Sequence, residues 1–386
     1  MEQAVKDIKN LFIEATQASE FDLVLTLINY RGISSANLNS NLHEWFDAIE
    51  FYRGLYNELD GKEKARIGVL LYSTFFENSD FYNIIGNLCR IRLGFKGFSY
   101  LFWKTKKYER LLGIGEKQDF LQELLVDAEK SGLVEFYEKN HFKEIRNTFF
   151  HSAYSIDEEH YVMHDSEAIN LDGVLIRSFD LEEFFYPKVE LVIDVFETFK
   201  DAYWHHFNSY TKDKKVQGTF PNPCEVTILG SEEGLKGFRI KDAVQFYGKW
   251  HDSGIWFDEQ YGFWAGHNIN MYFDRIEDIE IDEQLQRFEN KEDITKNNTE
   301  FFNLVDKVKE RNDPNELVRA TQLLLKFGDV RKTKMDSEEN PYKKKSFPKI
   351  ILPYYRKALE IGEPYFKNVA EFKKSIAILE EALDTE

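Results

Sequence analysis

Over the first 150 residues apolar side chains recur three and four apart, and no proline interrupts them before Pro187. Ile8, Leu11, Phe12 and Ala15 form one such set, and Trp45, Ile49, Tyr52 and Tyr56 another. This is the helical period, and one-sided helices need neighbours to bury against, so residues 3 to about 153 are predicted to form a helix bundle. Asn41 and Asp60-Gly61 bracket one helix. Lys62 to Phe76 reads as the next, with Ile67, Leu70, Leu71 and Phe75 on one face.

The pattern changes after His151. His160-Tyr-Val-Met-His164 and Val174 to Phe179 alternate as strands do, around the turn-forming Asn170 to Gly173, which predicts a β-hairpin insertion. Leu181 to Tyr210 returns to helix. Lys212 to Lys215, Gly218 and Pro221-Asn-Pro223 are polar and rich in breakers, which places a domain boundary between 212 and 213. Val226 to Leu229, Phe238 to Ile240, Gly254 to Phe257 and Met271 to Phe273 read as strands of a small sheet or barrel. Helical spacing resumes in Leu285 to Arg311, Glu316 to Phe327, Ile350 to Ile361 and Val369 to Leu383, with the basic stretch Arg331 to Lys349 as a loop. The expected class is mainly α. A helical bundle with a β-hairpin insertion fills 1-212, and a β-rich region followed by C-terminal helices fills 213-386.

A net charge of -18 excludes a protein that coats nucleic acid indiscriminately, because that needs an excess of Lys and Arg to release counterions. Any nucleic-acid contact must be local. Two cysteines, Cys89 and Cys224, make neither a zinc knuckle nor a disulfide framework by themselves. No apolar run of membrane-spanning length and no basic-then-apolar start occurs, so the expectation is a cytoplasmic protein without membrane contact. Phosphate-binding glycine loops, nucleophile elbows and zinc-protease helices are absent from the sequence.

Asn140 to Ala153 reads as one helix carrying Arg146-Asn-Thr-Phe-Phe-His151. At about 100° per residue, Phe142, Ile145, Phe149 and Ala153 share an apolar stripe. Lys143, Asn147, His151 and Tyr154 lie opposite, with Arg146 at the edge. This set suits cleavage of an RNA backbone. A histidine titrating near pH 6.5 removes the 2′-hydroxyl proton or protonates the leaving oxygen. An arginine, permanently charged and forked, matches the phosphate oxygens as charge builds. The chemistry requires no metal or other cofactor. Arg followed by His at a loose spacing is expected about once by chance, but Asn directly after Arg with this gap lowers that to about 0.02.

Glu144-Ile-Arg-Asn-Thr-Phe-Phe-His-Ser-Ala-Tyr154 resembles the signature of HEPN domains, Arg followed after four to six residues by His. The likeness covers roughly residues 1 to 210. It implies a homodimer in which two motif helices face each other and form one cleft that cuts RNA to a 2′,3′-cyclic phosphate and a 5′-hydroxyl. Many such proteins are toxins or abortive-infection effectors against phages, governed by a phage-derived or small-molecule trigger or an antitoxin. Carried onto this chain, Arg146 and His151 are the catalytic pair, Asn147 is their polar companion, and Lys143 and Tyr154 stand on the substrate side. Tyr154 follows the histidine by three residues, where the toxin subgroup has its tyrosine at two. The other reading is a HEPN-like fold that no longer cuts and serves as an RNA-binding or protein-interaction module.

Residues 90 to 110 hold Arg90, Arg92, Lys96, Lys104, Lys106, Lys107 and Arg110 against Glu109 alone, interleaved with aromatics. They suit either a track for RNA or a solvated face over core aromatics. His160 and His164 share a strand face without a carboxylate at a fixed place, which is no metal set. His205 and His206 end a helix and read as cations favoured there. Trp250, Trp256, Phe257, Tyr261, Phe263 and Trp264, punctuated by glycines, read as the core of a small β-domain or as a ligand or partner pocket. This second half would sense a trigger or restrain the nuclease.

Overall fold

In a computed structural model of the chain, the helical period of the first 150 residues is realised as α1 (Glu2–Ala18), α2 (Glu20–Ile28), α3 (Leu42–Glu58), α4 (Gly61–Glu77), α5 (Ser79–Arg92), α6 (Ile114–Asp127), α7 (Ser131–Asn140) and α8 (Lys143–Phe150). The structure describes residues 2–29, 42–96, 101, 103–104, 110–157, 159–164, 167–171, 173–220, 222–260, 262–269, 281–295, 297–366 and 368–384. Two compact units result. One is Met1–Phe102 with Leu112–Tyr272, and the other is Trp103–Leu111 with Phe273–Glu386.

In the first unit, Ile8, Leu11, Phe12 and Ala15 of α1 are fully buried, as are Trp45, Ile49 and Tyr56 of α3. The buried face of α4 is turned from the expected one: Gly68, Val69, Tyr72 and Phe76 join Leu71 and Phe75, while Ile67 and Leu70 are half-buried. The long α9 (Tyr186–Asn208) closes the bundle, with Phe196 and Phe199 set edge-on to Trp45 at 5.2 and 6.0 Å. Helix α7 lacks a side-chain cap of its own. Asp7 of α1 supplies one, its Oδ2 accepting from the amides of Gly132 at 2.8 Å and Leu133 at 3.3 Å. Only glycine fits at 132, where a Cβ would sit 2.5 Å from the backbone of Gln3.

Strands β1 (Trp103–Lys104) and β2 (Arg110–Leu111) pair in the second unit. Between α8 and α9 lie β3 (Tyr154–Ile156), β4 (His160–Met163), β5 (Ile169–Leu171), β6 (Val174–Ile176) and β7 (Ser178–Asp180). The expected hairpin is present as β5 and β6, its turn closed by Gly173 in the left-handed region and by Asn170 Oδ1 accepting from the Gly173 amide at 2.8 Å. It continues into the β4–β7 pair and gains β3 as a further strand.

A five-stranded antiparallel sheet follows: β8 (Lys214–Thr219), β9 (Pro223–Ser231), β10 (Gly234–Phe246), β11 (Lys249–Asp258) and β12 (Phe263–His267), each paired with its sequence neighbour. Lys214–Thr219 is thus a strand and not the expected linker. Its partner β9 matches it in register, Val216 opposite Val226. The boundary expected at 212 falls inside the first unit because the bundle and sheet share a core, Phe21 of α2 meeting Phe220 at 6.0 Å and Phe238 at 5.0 Å. The strand expected at Met271 to Phe273 lies outside the described residues.

The second unit contains a helix over 281–289 (α10), α11 (Asn298–Arg311), α12 (Pro314–Ser337), α13 (Pro341–Gly362) and α14 (Val369–Asp384). The single helix expected over Leu285 to Arg311 is interrupted between α10 and α11, where Asp293 Oδ1 accepts from the Thr295 amide at 3.0 Å. The loop expected over Arg331 to Lys349 is nearly all helix. Asn340 Oδ1 accepts from the amides of Tyr342 at 3.0 Å and Lys343 at 3.3 Å, and Pro341 sits in the first turn, where its missing N–H is no loss. The class is mainly helical, with small sheets, an antiparallel five-stranded sheet and C-terminal helices. No helix among the described residues is long and apolar enough to cross a membrane.

Candidate active site

Helix α8 is shorter than the Asn140 to Ala153 helix expected. Asn140 ends α7, and His141 and Phe142 are extended. The Tyr72 phenol satisfies the chain at this break, accepting from the Phe142 amide at 2.7 Å and donating to the Asn140 carbonyl. At the far end Ser152 takes a left-handed φ of 55°, and the amides of Ser152 and Ala153 turn back to Phe149 at 3.1 Å and Thr148 at 2.8 Å. His151 is therefore the first residue beyond the helix, its amide still bonded to the Asn147 carbonyl at 3.0 Å.

Ile145 and Thr148 are the fully covered residues of α8, with Phe142 buried just before it. Phe149 and Ala153 are only half-buried. Phe149 stacks on Tyr154 at 5.1 Å, Tyr154 on Tyr161 at 5.2 Å, and Tyr161 on Phe179 at 5.1 Å. Tyr154 is thus a strand residue inside an aromatic column, not a member of the polar helix face, because the left-handed Ser152 ends the helix before it.

Arg146 is held from two sides. Its Nε lies 2.9 Å from Glu77 Oε1 at the end of α4, an ion-pair contact without hydrogen-bond alignment. Its Nη1 donates to Asn147 Oδ1 at 3.2 Å, and the guanidinium carbon is 5.4 Å from the centroid of the Phe150 ring. Arg146 and Phe150 line a cleft of about 560 Å³ together with Glu44 and Trp45 of α3 and Ser73, Thr74, Glu77 and Asn78 of the α4 end. A narrow cavity of about 20 Å³ joins Arg146 to Asn147, Lys143, His141 and Tyr72. Burial, aided by the charge of Lys143, pushes the His141 pKa down to about 4, so that ring is neutral at pH 7.

His151 is exposed, lines neither the cleft nor the narrow cavity, and its ring makes no hydrogen bond or ion pair among the described residues. Five residues of helix separate it from Arg146 by about 140° around the axis. The fold therefore brings Arg146, Asn147 and Lys143 together and sets His151 apart from them.

The basic stretch is divided. Arg90 is buried, with Nη1 3.5 Å from Asn87 Oδ1, and Arg92 is paired with Glu14 at 2.7 Å and Glu129 at 2.8 Å. Lys104 and Arg110 face each other across β1 and β2 in the second unit, whereas Arg146 belongs to the first. Lys106 and Lys107 lie outside the described residues, as do the side chains of Lys104 and Arg110. His160 pairs with Asp157 and His164 with Ser155. Among the described residues no three His, Cys, Asp or Glu side chains group as metal ligands. His206 lies in the last turn of α9 as expected, but its ring is half-buried. It stacks on Phe12 at 5.3 Å, and burial lowers its pKa. Trp256 stacks on His267 at 3.6 Å, Phe257 packs near Trp264, and Trp250 is exposed. Tyr261 and the Phe263 side chain lie outside the description.

The Arg146 cleft offers a cation paired with one of two carboxylates, two hydroxyls and aromatic walls, a lining that can take a planar group. Glu77, Trp45 and Ser73 come from other helices and leave no local sequence signal. Phe150 did leave one, an apolar residue about 140° from Ile145 on the wheel, off the apolar stripe. In comparisons with known proteins, no family model, curated protein or solved structure matches this chain.

Proposed function

We propose that this chain is a metal-independent endoribonuclease of the HEPN type, with Arg146 and His151 as its catalytic pair. The observation that carries the reading is a short helix that presents Arg146 to an open cleft and ends in an exposed His151 whose ring has no partner among the described residues. In the reaction the 2′-oxygen attacks phosphorus as His151 takes its proton, and the bond to the 5′-oxygen breaks as that oxygen takes a proton from water. The products are a 2′,3′-cyclic phosphate and a 5′-hydroxyl. Arg146 neutralises the charge on the phosphate oxygens, and Asn147 holds one arm of its guanidinium. Because one chain separates the two groups by about 140° around the helix, a homodimer with facing α8 helices is needed to bring both to one phosphate. Such an RNA-cutting dimer fits an anti-phage abortive-infection effector or toxin, controlled by a phage-derived or small-molecule trigger or an antitoxin.

Purified protein is expected to cleave RNA in EDTA. His151→Ala should lower the rate about 10²- to 10⁴-fold and Arg146→Ala about 10²- to 10³-fold, with the cyclic phosphate detected by mass. Equal cleavage by wild type and His151→Ala would reject the assignment. The Glu77 contact, which occupies Arg146, favours a second reading, a HEPN-like module that binds RNA or a protein without cutting. Expression in a bacterial host separates the two. Toxicity relieved by Arg146→Ala supports the nuclease, and harmless expression with RNA bound uncut supports the module.

A further inference from the structure

Helix α8 ends in an aromatic side chain that the core does not use. Phe150 is 55% exposed at the lip of the Arg146 cleft, with the Arg146 guanidinium 5.4 Å from its ring centroid. Ser73 lines the same cleft, is 2% exposed, and its Oγ has no hydrogen-bond partner among the described residues. Glu44 and Glu77 add carboxylate acceptors to that lining. A volume of about 560 Å³ is that of a site for one small ligand, not for a double helix.

We infer that this cleft is a subsite for a single unpaired nucleobase of single-stranded RNA, stacked on Phe150 while its phosphate meets Arg146. The inference rests on the ribonuclease reading and names the substrate class of that site. The carboxylates repel a second phosphate, so the base and not further backbone enters, and its N–H groups find acceptors in Glu44, Glu77 and Ser73. A base inside a duplex has both faces stacked and its pairing edge occupied, so it cannot be received. Stacking on an aromatic side chain tolerates any base, and the acceptor lining favours those whose exposed edge donates.

The test uses the full chain carrying His151→Ala, so that RNA is bound without being consumed. A fluorescent single-stranded oligoribonucleotide and its annealed duplex are titrated against Phe150, Phe150→Leu and Phe150→Trp proteins. Phe150→Leu should weaken single-strand binding about tenfold, Phe150→Trp should keep it, and duplex binding should not change. With His151 restored, Phe150→Leu should raise KM by the same factor and leave kcat alone. Equal single-strand binding by the Phe and Leu proteins overturns the subsite, as does an equal loss on the duplex. So does dissociation of a dimer on Phe150→Leu in sedimentation, which would assign the ring to a second copy of the chain. Phe150-dependent binding by a protein whose wild type never cleaves would keep the subsite and remove the nuclease reading.

Discussion

Glu77 and Arg146 form their ion pair with 37% and 38% of their side chains exposed, a setting in which such a pair contributes at most about 1 kcal/mol. A phosphate arriving at the cleft therefore displaces Glu77 at little cost. Glu77→Gln should leave the melting temperature almost unchanged and tighten RNA binding by the His151→Ala protein several-fold, and unaltered affinity would reject Glu77 as a competitor for the guanidinium. His141, beside the same arginine, sets a pH limit. Its folded pKa of about 4 lies below the unfolded value of about 6.5, so the unfolded chain binds more protons between them. Stability is full above pH 6.5 and falls as pH drops toward 4, by up to about 3 kcal/mol from this ring. His141→Phe, which preserves the contact with Phe76, should shrink the difference in melting temperature between pH 7.5 and 5. At this scale Arg146 and Asn147 were legible because helical neighbours are also sequence neighbours. Tyr154 was not, because a left-handed serine ended the helix where no glycine or proline marked a stop.

Among the elements, α7 depends on a cap lent by another helix. Asp7→Ala removes the acceptor for the Gly132 and Leu133 amides, and it should lower the stability of the first unit by about 1–2 kcal/mol, read as a lower melting temperature with RNA absent. Unchanged melting would mean that the amides find water instead. The same dependence on distant partners limits what a sequence discloses about an element. Strand β8 reads as a polar linker, since Lys214 and Lys215 face solvent and its apolar support comes from distant residues, Val226 of β9 and Phe21 of α2. Helix α13 was hidden in another way. The charge and prolines of its first turns suggested a loop before the helix read over Ile350 to Ile361, while the decisive feature was local, Asn340 capping with Pro341 in the first turn, and Pro348 is accommodated inside the helix.

At the scale of the whole molecule the units differ in what they need. The first unites bundle and sheet through Phe21, Phe220 and Phe238, so division at the polar stretch near 212 would expose a shared core. The second has a core drawn from its own helices: Leu285, Phe288, Phe301, Val305, Leu324, Phe327, Ile351 and Tyr355 are buried together. Its buried ion pair, Arg287 with Glu300, links two of these helices. A chain of residues 281–386 is about the size of an ordinary small domain and carries its own apolar cluster. It should therefore fold alone, with a helical circular-dichroism spectrum and a cooperative thermal transition. Leu324→Ala in this fragment deletes a fully buried side chain and should cost about 2–5 kcal/mol, a large fraction of the roughly 5–15 kcal/mol a domain of this size has. A fragment that melts without cooperativity, or that is indifferent to Leu324→Ala, would show that the cluster does not make a domain by itself.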